Sequence, residues 1–242
     1  MLSRLLSTLV LWTVVLGSLY FFGAHAAITL ITLLSVLTLH EFYGMMEKMG
    51  ARPFRVMGLL FSVLMTGALY YLALFSEDPS VSESIPAGLL VLALLVTCIR
   101  VLWERDPTNR VETIAATMGG LLYIPYLLHF LVRILMREAD SGENLALCLW
   151  VVAVAKFCDV GALLAGITAG RHKLAPEISP KKTWEGAVGG VLVSAGIGAA
   201  IAYVFSARLP GSLTPTIAAL IAVPLAIIAI ISDLIESVIK RR

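Results

Sequence analysis

Charge is scarce in this chain. Only 14% of its 242 residues are Asp, Glu, Lys or Arg, against 59% that are hydrophobic, and the mean hydropathy is +0.93. A soluble domain carries about a quarter charged residues, so a water-soluble globular fold is excluded and an integral membrane protein is expected. The net charge of +2 is spread over several loops, which leaves no concentrated basic surface for nucleic acid. Cysteine is equally sparse. Cys98, Cys148 and Cys158 all sit in apolar runs without metal-ligand spacing, which reads as small hydrophobic residues rather than a disulfide framework or a zinc site.

Several familiar catalytic patterns are also missing. His40-Glu41 starts like a zinc-protease helix, but Gly44 stands where the second histidine is required. Lys182-Thr183 precedes its glycines, the reverse of the order in a phosphate-binding P-loop. No Ser, His and Asp set assembles, and His25, His129 and His172 stand alone as interfacial or hydrogen-bonded residues.

What the chain has instead is long apolar runs. About 20 apolar residues in a helix cross a bilayer core, where unpaired backbone is excluded. The expected fold is therefore all-α, a polytopic membrane helix bundle of about eight transmembrane helices forming a single domain over 1–242. The expected spans are Leu5 to Phe22, Ala26 to Tyr43, Val56 to Phe75, Pro86 to Trp103, Glu112 to Leu131, Leu145 to Thr168, Gly186 to Phe205 and Thr216 to Ile231. Ala24-His25-Ala26 imitates a signal-peptide cleavage site, but the run before it exceeds the usual ~7–15-residue signal core. An uncleaved helical hairpin is the reading.

Placing the N-terminus inside puts fourteen of the 18 Lys and Arg residues on the inner side, with Arg133, Arg137 and Arg208 outside and Lys156 within a span. The positive-inside rule thus selects N-in and C-in, with a cytoplasmic basic loop at 170–185. In the seventh span Gly186, Gly190, Ser194 and Gly198 recur every four residues, a stripe that lets two helix backbones approach closely.

Polar chemistry gathers at the end of the chain. Lys156 and Asp159 share a helix face, as do Asp233, Glu236, Ser237 and Lys240. Ionisable groups in a membrane run are costly unless they line a polar cavity or a site. Two bland explanations compete here, a self-neutralising Lys156–Asp159 pair and an interfacial amphipathic tail from Asp233. On the functional reading the carboxylates converge on divalent cations, for which oxygen ligands without His or Cys suit Mg²⁺. Arg171, Lys173, Lys181 and Lys182 would then neutralise a polyphosphate.

These residues resemble a known family. Asp159-Val160-Gly161-Ala162, His172-Lys173-Leu174-Ala175-Pro176, Ile178-Ser179-Pro180-Lys181-Lys182-Thr183-Trp184-Glu185-Gly186 and Ser232-Asp233-Leu234-Ile235-Glu236-Ser237 together resemble phosphatidate cytidylyltransferase of the bacterial type. Glu41, Gly119-Gly120 and Tyr123 add to the likeness. The resemblance implies transfer of CMP from CTP to phosphatidic acid, giving CDP-diacylglycerol and pyrophosphate for phospholipid synthesis in the bacterial inner membrane.

Several site assignments follow from the resemblance alone. It implies Asp159, Lys182 and Asp233 as catalytic residues, Asp159, Asp233 and Glu236 as ligands of Mg²⁺ and of a second ion if there is one, and Lys173, Ser179, Lys181, Thr183 and Glu185 as substrate contacts. CTP, phosphatidic acid and membrane lipids are the implied partners, and the oligomeric state is open, a homodimer included.

Two departures qualify it. Cys158 stands where the family commonly has serine, and the family continues past the position of Arg242 with a further acidic motif. Residues 1–242 alone are accordingly expected to fold but to bind CTP weakly and turn over little. A small transporter with an intramembrane cation or proton path, a related CTP-dependent lipid enzyme and a silent scaffold are the competing classes.

Overall fold

The computed structural model describes residues 2–68, 70–72, 79–103, 110–137 and 141–240, with side chains described except at 2–12, 79–84, 141 and 240. The helices are α1 (Leu2–Lys48), α2 (Arg55–Val63, continued by a π-helical turn Leu64–Ala68), α3 (Pro79–Trp103), α4 (Arg110–Tyr123), α5 (Pro125–Leu135), α6 (Ser141–Ala169), α7 (Trp184–Val204) and α8 (Pro215–Lys240). Between α6 and α7 a short hairpin forms from β1 (Lys173–Ala175) and β2 (Ser179–Thr183). The protein is an integral membrane helical protein. Among the described residues seven helical stretches are long and apolar enough to cross a membrane.

The exact count of eight is not confirmed among the described residues. The first two runs belong to one helical element, broken only at Gly23, whose φ of 53° and ψ of −126° depart from the helix. Glycine alone adopts that left-handed backbone without strain, so the break falls where the two runs were divided but no loop separates them. Arg105, Arg241 and Arg242 of the charge count lie outside the described residues.

The chain divides into two compact units, 1–141 and 142–242. In the first unit Tyr43 is fully buried and packs into notches left by Gly58 and Gly120, where an added Cβ would lie 2.3 Å and 2.6 Å from the tyrosine side chain. Its hydroxyl donates to Thr117 O at 3.0 Å, and a buried Ser35–Ser62 hydroxyl pair at 2.8 Å ties α1 to α2. Bulk and hydroxyls meet in glycine notches here.

The second unit packs by the opposite device. Gly186, Gly190, Ser194 and Gly198 are all buried and face α6: an added Cβ on Gly190 would stand 2.9 Å from Cys158 O, and one on Gly189 would stand 2.2 Å from the Ala165 methyl. Ser194 Oγ donates to Val154 O, and Trp150 Nε1 donates to Gly198 O at 3.0 Å. The stripe is thus a helix-packing face, as its period requires. Beyond it Trp150, Val154, Ala202, Leu209, Ala218 and Ala222 form a buried core. Local signals start both later helices, with Thr183 capping α7 through Gly186 N at 3.1 Å and Thr214 followed by Pro215 opening α8.

Candidate functional site

The hairpin stands at the end of the second unit where α6 finishes and α7 begins. β1 and β2 pair antiparallel, with Lys173 opposite Thr183 and Ala175 opposite Ser179, and the register shifts between them. Two residues separate one pair from the other on β1 and four on β2, so β2 bulges around Pro180. Proline has no N–H to give a ladder, and a bulge is where a strand tolerates it. Lys173 and Lys181 are consequently exposed on the hairpin, whereas Lys182 and Ser179 are half-buried.

Glu185, in the first turn of α7, clamps the return of the chain. Its carboxylate accepts from Arg171 N at 3.1 Å and from His172 N at 3.2 Å, and lies 2.6 Å from His172 Nδ1. A carboxylate serving two backbone N–H groups has few acceptor sites left, so Glu185 shapes the loop. Thr183 is likewise buried and engaged in capping, with Gly166 and Gly170 leaving the room its side chain fills. His172, expected as an interfacial or hydrogen-bonded residue, is hydrogen-bonded to Glu185, and its carbonyl accepts from Trp184 N at 2.9 Å.

Lys182 crosses to α8, where its Nζ lies 2.6 Å from Asp233 Oδ2. The contact has the distance of an ion pair but not the angles of a hydrogen bond. Asp233 stays about half exposed, and Glu236 follows one turn later on the same helix, also exposed. In α6, Lys156 Nζ stands 3.8 Å from Asp159 Oδ2 with both side chains exposed. That pair lies near the middle of a membrane-length helix, a depth at which charge against lipid is costly and a polar surrounding is required. Cys158, the serine position of the resemblance, is buried and points Sγ at Ala226 O, 3.6 Å away, so it serves as a weak donor between α6 and α8.

These contacts set the relative levels of the carboxylates. α7 runs antiparallel to both α6 and α8, because Gly198 meets Trp150, Val154 and Ala222 while Lys182 meets Asp233; α6 and α8 therefore run parallel. With Cys158 level with Ala226 and a rise of 1.5 Å per residue, Asp159 lies roughly 9 Å along the axis from Asp233. The structure brings together Lys182 and Asp233, and Lys156 and Asp159. It does not bring Asp159, Asp233 and Glu236 into one cluster: among the described residues no three His, Cys, Asp or Glu side chains are placed to hold a metal ion. Mg²⁺ bound through substrate phosphates needs only one or two carboxylates, and half-exposed Asp233, with Glu236 a turn away, fits that smaller demand.

The unit also holds an apolar cavity of about 380 Å³, lined by Leu145, Leu149, Trp150, Ile201, Phe205 and Arg208 among others. It sits at the opposite end of the helices from the hairpin and contains no carboxylate.

The second unit is thus a helical membrane unit that carries a short basic hairpin with Lys182 paired to half-exposed Asp233 on α8. The chain belongs to the cytidylyltransferase family, which it matches over residues 2–242. It is 33% identical over 136 residues to a phosphatidate cytidylyltransferase of Mycobacterium bovis, covering 56% of this chain and 42% of that protein. A phosphatidate cytidylyltransferase of Haemophilus influenzae is 29% identical over 140 residues, covering 57% of this chain and 47% of that protein. An uncharacterized Escherichia coli protein, YnbB, is 31% identical over 107 residues, covering 44% and 34%. The matches span less than half the length of these curated relatives.

Proposed function

We propose that the protein transfers CMP from CTP to phosphatidic acid, releasing pyrophosphate and leaving CDP-diacylglycerol in the membrane. The observation that carries this reading is the pairing of Lys182 with Asp233 on a hairpin that also exposes Lys173 and Lys181. In the reaction a phosphate oxygen of the lipid bonds to the α-phosphorus of CTP, the bond from that phosphorus to the β-phosphate bridge breaks, and pyrophosphate leaves with the electron pair. No protein nucleophile is needed, because phosphoryl-type transfer depends on positioning and charge neutralisation. Lys173 and Lys181 are free to reach a triphosphate from the exposed side of the hairpin. Lys182 faces inward and meets the phosphates nearest Asp233. Glu185 and His172 hold the loop that carries them, and Thr183 ties that loop to α7.

Asp233 and Glu236 would hold Mg²⁺ at the hairpin, and Asp159, two helix turns away, would serve a second ion or another part of the substrate. When bound, Mg²⁺ neutralises the phosphates and the charge that develops on the leaving group. The proposed setting is a bacterial inner membrane with the hairpin in the cytoplasm, where CTP is found. This follows the distribution of Lys and Arg.

Conversion of CTP and phosphatidic acid by membranes carrying the full-length protein tests the reaction. Asp233→Asn preserves shape and removes an anionic ligand, so turnover should fall by a factor of at least about 100, while Lys173→Gln should mainly raise the KM for CTP. Near-normal turnover in Asp233→Asn at equal expression would remove Asp233 from the site. A cysteine placed at Ala175 should resist a membrane-impermeant thiol reagent applied outside intact cells; labelling there would refute the orientation.

A further inference from the structure

The first unit holds a group of arginines that the proposed transfer does not use. α1 ends at Lys48 and turns through Gly50, whose φ of 92° only glycine adopts readily. Met49, Gly50 and Ala51 N–H groups bond back to carbonyls of Met45 to Glu47. The chain then enters α2 with Phe54 N donating to the buried Thr117 Oγ1 at 3.0 Å. Because Thr117 also accepts from Tyr43 at its carbonyl, this turn is anchored to the core of the unit.

On that anchored turn two guanidinium groups are oriented. Arg100, near the end of α3, stacks over the Phe54 ring with Cζ 4.6 Å from its centroid. Arg55 Nε lies 2.6 Å from Glu47 Oε1, and the missing side chain of Gly44 makes room for its Nη2, which a Cβ there would approach to 3.1 Å. Arg52, on the same turn, is exposed. Arg55 opens one membrane-length helix, Arg100 lies near the end of another and Arg52 sits on the turn ahead of α2; the surface beside them is apolar, with Val56, Leu60, Ile99, Leu102 and Trp103 exposed. Positive charge at span ends also sets topology, but topology requires neither a stacking ring nor a carboxylate to aim each guanidinium.

From this placement we propose that Arg55 and Arg100, with Arg52, bind the phosphate of an anionic phospholipid whose acyl chains lie along Val56, Leu60, Leu102 and Trp103. Oriented guanidinium groups match phosphate oxygens through paired N–H donors, which an ammonium cannot do. The apolar strip beside them selects an amphipathic ligand over a free ion. All of these residues belong to the first unit.

The test is lipid binding by the purified full-length protein in detergent, read by native mass spectrometry. The probes are phosphatidic acid, phosphatidylglycerol and phosphatidylcholine, each with and without excess inorganic phosphate. The wild type should retain the two anionic lipids about ten-fold more strongly than phosphatidylcholine, and Arg55→Lys/Arg100→Lys, which keeps the charge, should lose about that factor. Should the double variant fail to purify as a folded protein, Arg100→Lys alone, at an exposed position, carries the same comparison with a smaller loss. Equal retention by wild type and variant overturns the site. Displacement of the lipid by inorganic phosphate overturns the lipid and leaves a free-phosphate site, while equal retention of all three lipids shows a purely hydrophobic surface.

Discussion

The two units solve the same packing problem in different ways. In lipid no hydrophobic force drives helices together, so close contact and hydrogen bonds must do so. The first unit seats one large side chain, Tyr43, in the notches of Gly58 and Gly120 and caps it with a bond to Thr117. The second removes side chains altogether, so that Gly190 faces the backbone of Cys158 and Gly189 the Ala165 methyl. A notch filled by a side chain can relax when that side chain changes. A backbone held against a backbone cannot. The unit with the less forgiving interface is also the one that carries the hairpin and the Lys182–Asp233 pair.

The largest expected effect tests that contrast directly. Gly190→Leu places a side chain against Cys158 O, 2.9 Å from the Cβ position, and neither backbone can withdraw; no monodisperse folded protein should be recovered by size-exclusion chromatography. Recovery with wild-type melting would turn the stripe toward lipid. Tyr43→Ala empties the notches in the first unit and should cost about 3–5 kcal/mol, read as a lowered melting temperature of protein that still folds. A Tyr43→Ala variant less recoverable than Gly190→Leu would reverse the comparison.

Smaller changes sharpen it. Ser194→Ala removes the bond to Val154 O while keeping the stripe small, so a loss of about 0.6 kcal/mol, the mean for hydrogen bonds between membrane helices, is expected in thermal or denaturant unfolding. Gly196→Ala should be neutral or stabilising by up to about 1 kcal/mol, since nothing lies within 4 Å of its Cβ position. A marked loss there would mean that the face opposite the stripe is also a contact.

Much of this was legible in the chain itself. Hydropathy alone required a helical membrane protein, because backbone in lipid must satisfy its own hydrogen bonds. The period-four glycines announced a packing face. The break at Gly23 was legible only in part. The composition on both sides of it favoured two spans, whereas the local backbone of one residue decided that no loop intervenes. The hairpin was read as a loop, for strands this short have too few residues to display a period.

What tertiary structure decided was who meets whom. Lys182, Asp233 and Asp159 all declared themselves as costly charges in or beside apolar runs. Pairing Lys182 with Asp233 while holding Asp159 two turns away depends on the antiparallel register of α7 against its neighbours, which is set by glycine contacts spread over the helix. Glu185 shows the same division. The resemblance implied a substrate contact there, and its oxygens are directed to Arg171 N, His172 N and His172 Nδ1, since a chain reversing between two helices leaves N–H groups that need an acceptor. Sequence sets which groups are charged and which segments can lie in lipid, because those are properties of single residues and their neighbours. Distances between charges on different helices are fixed by packing.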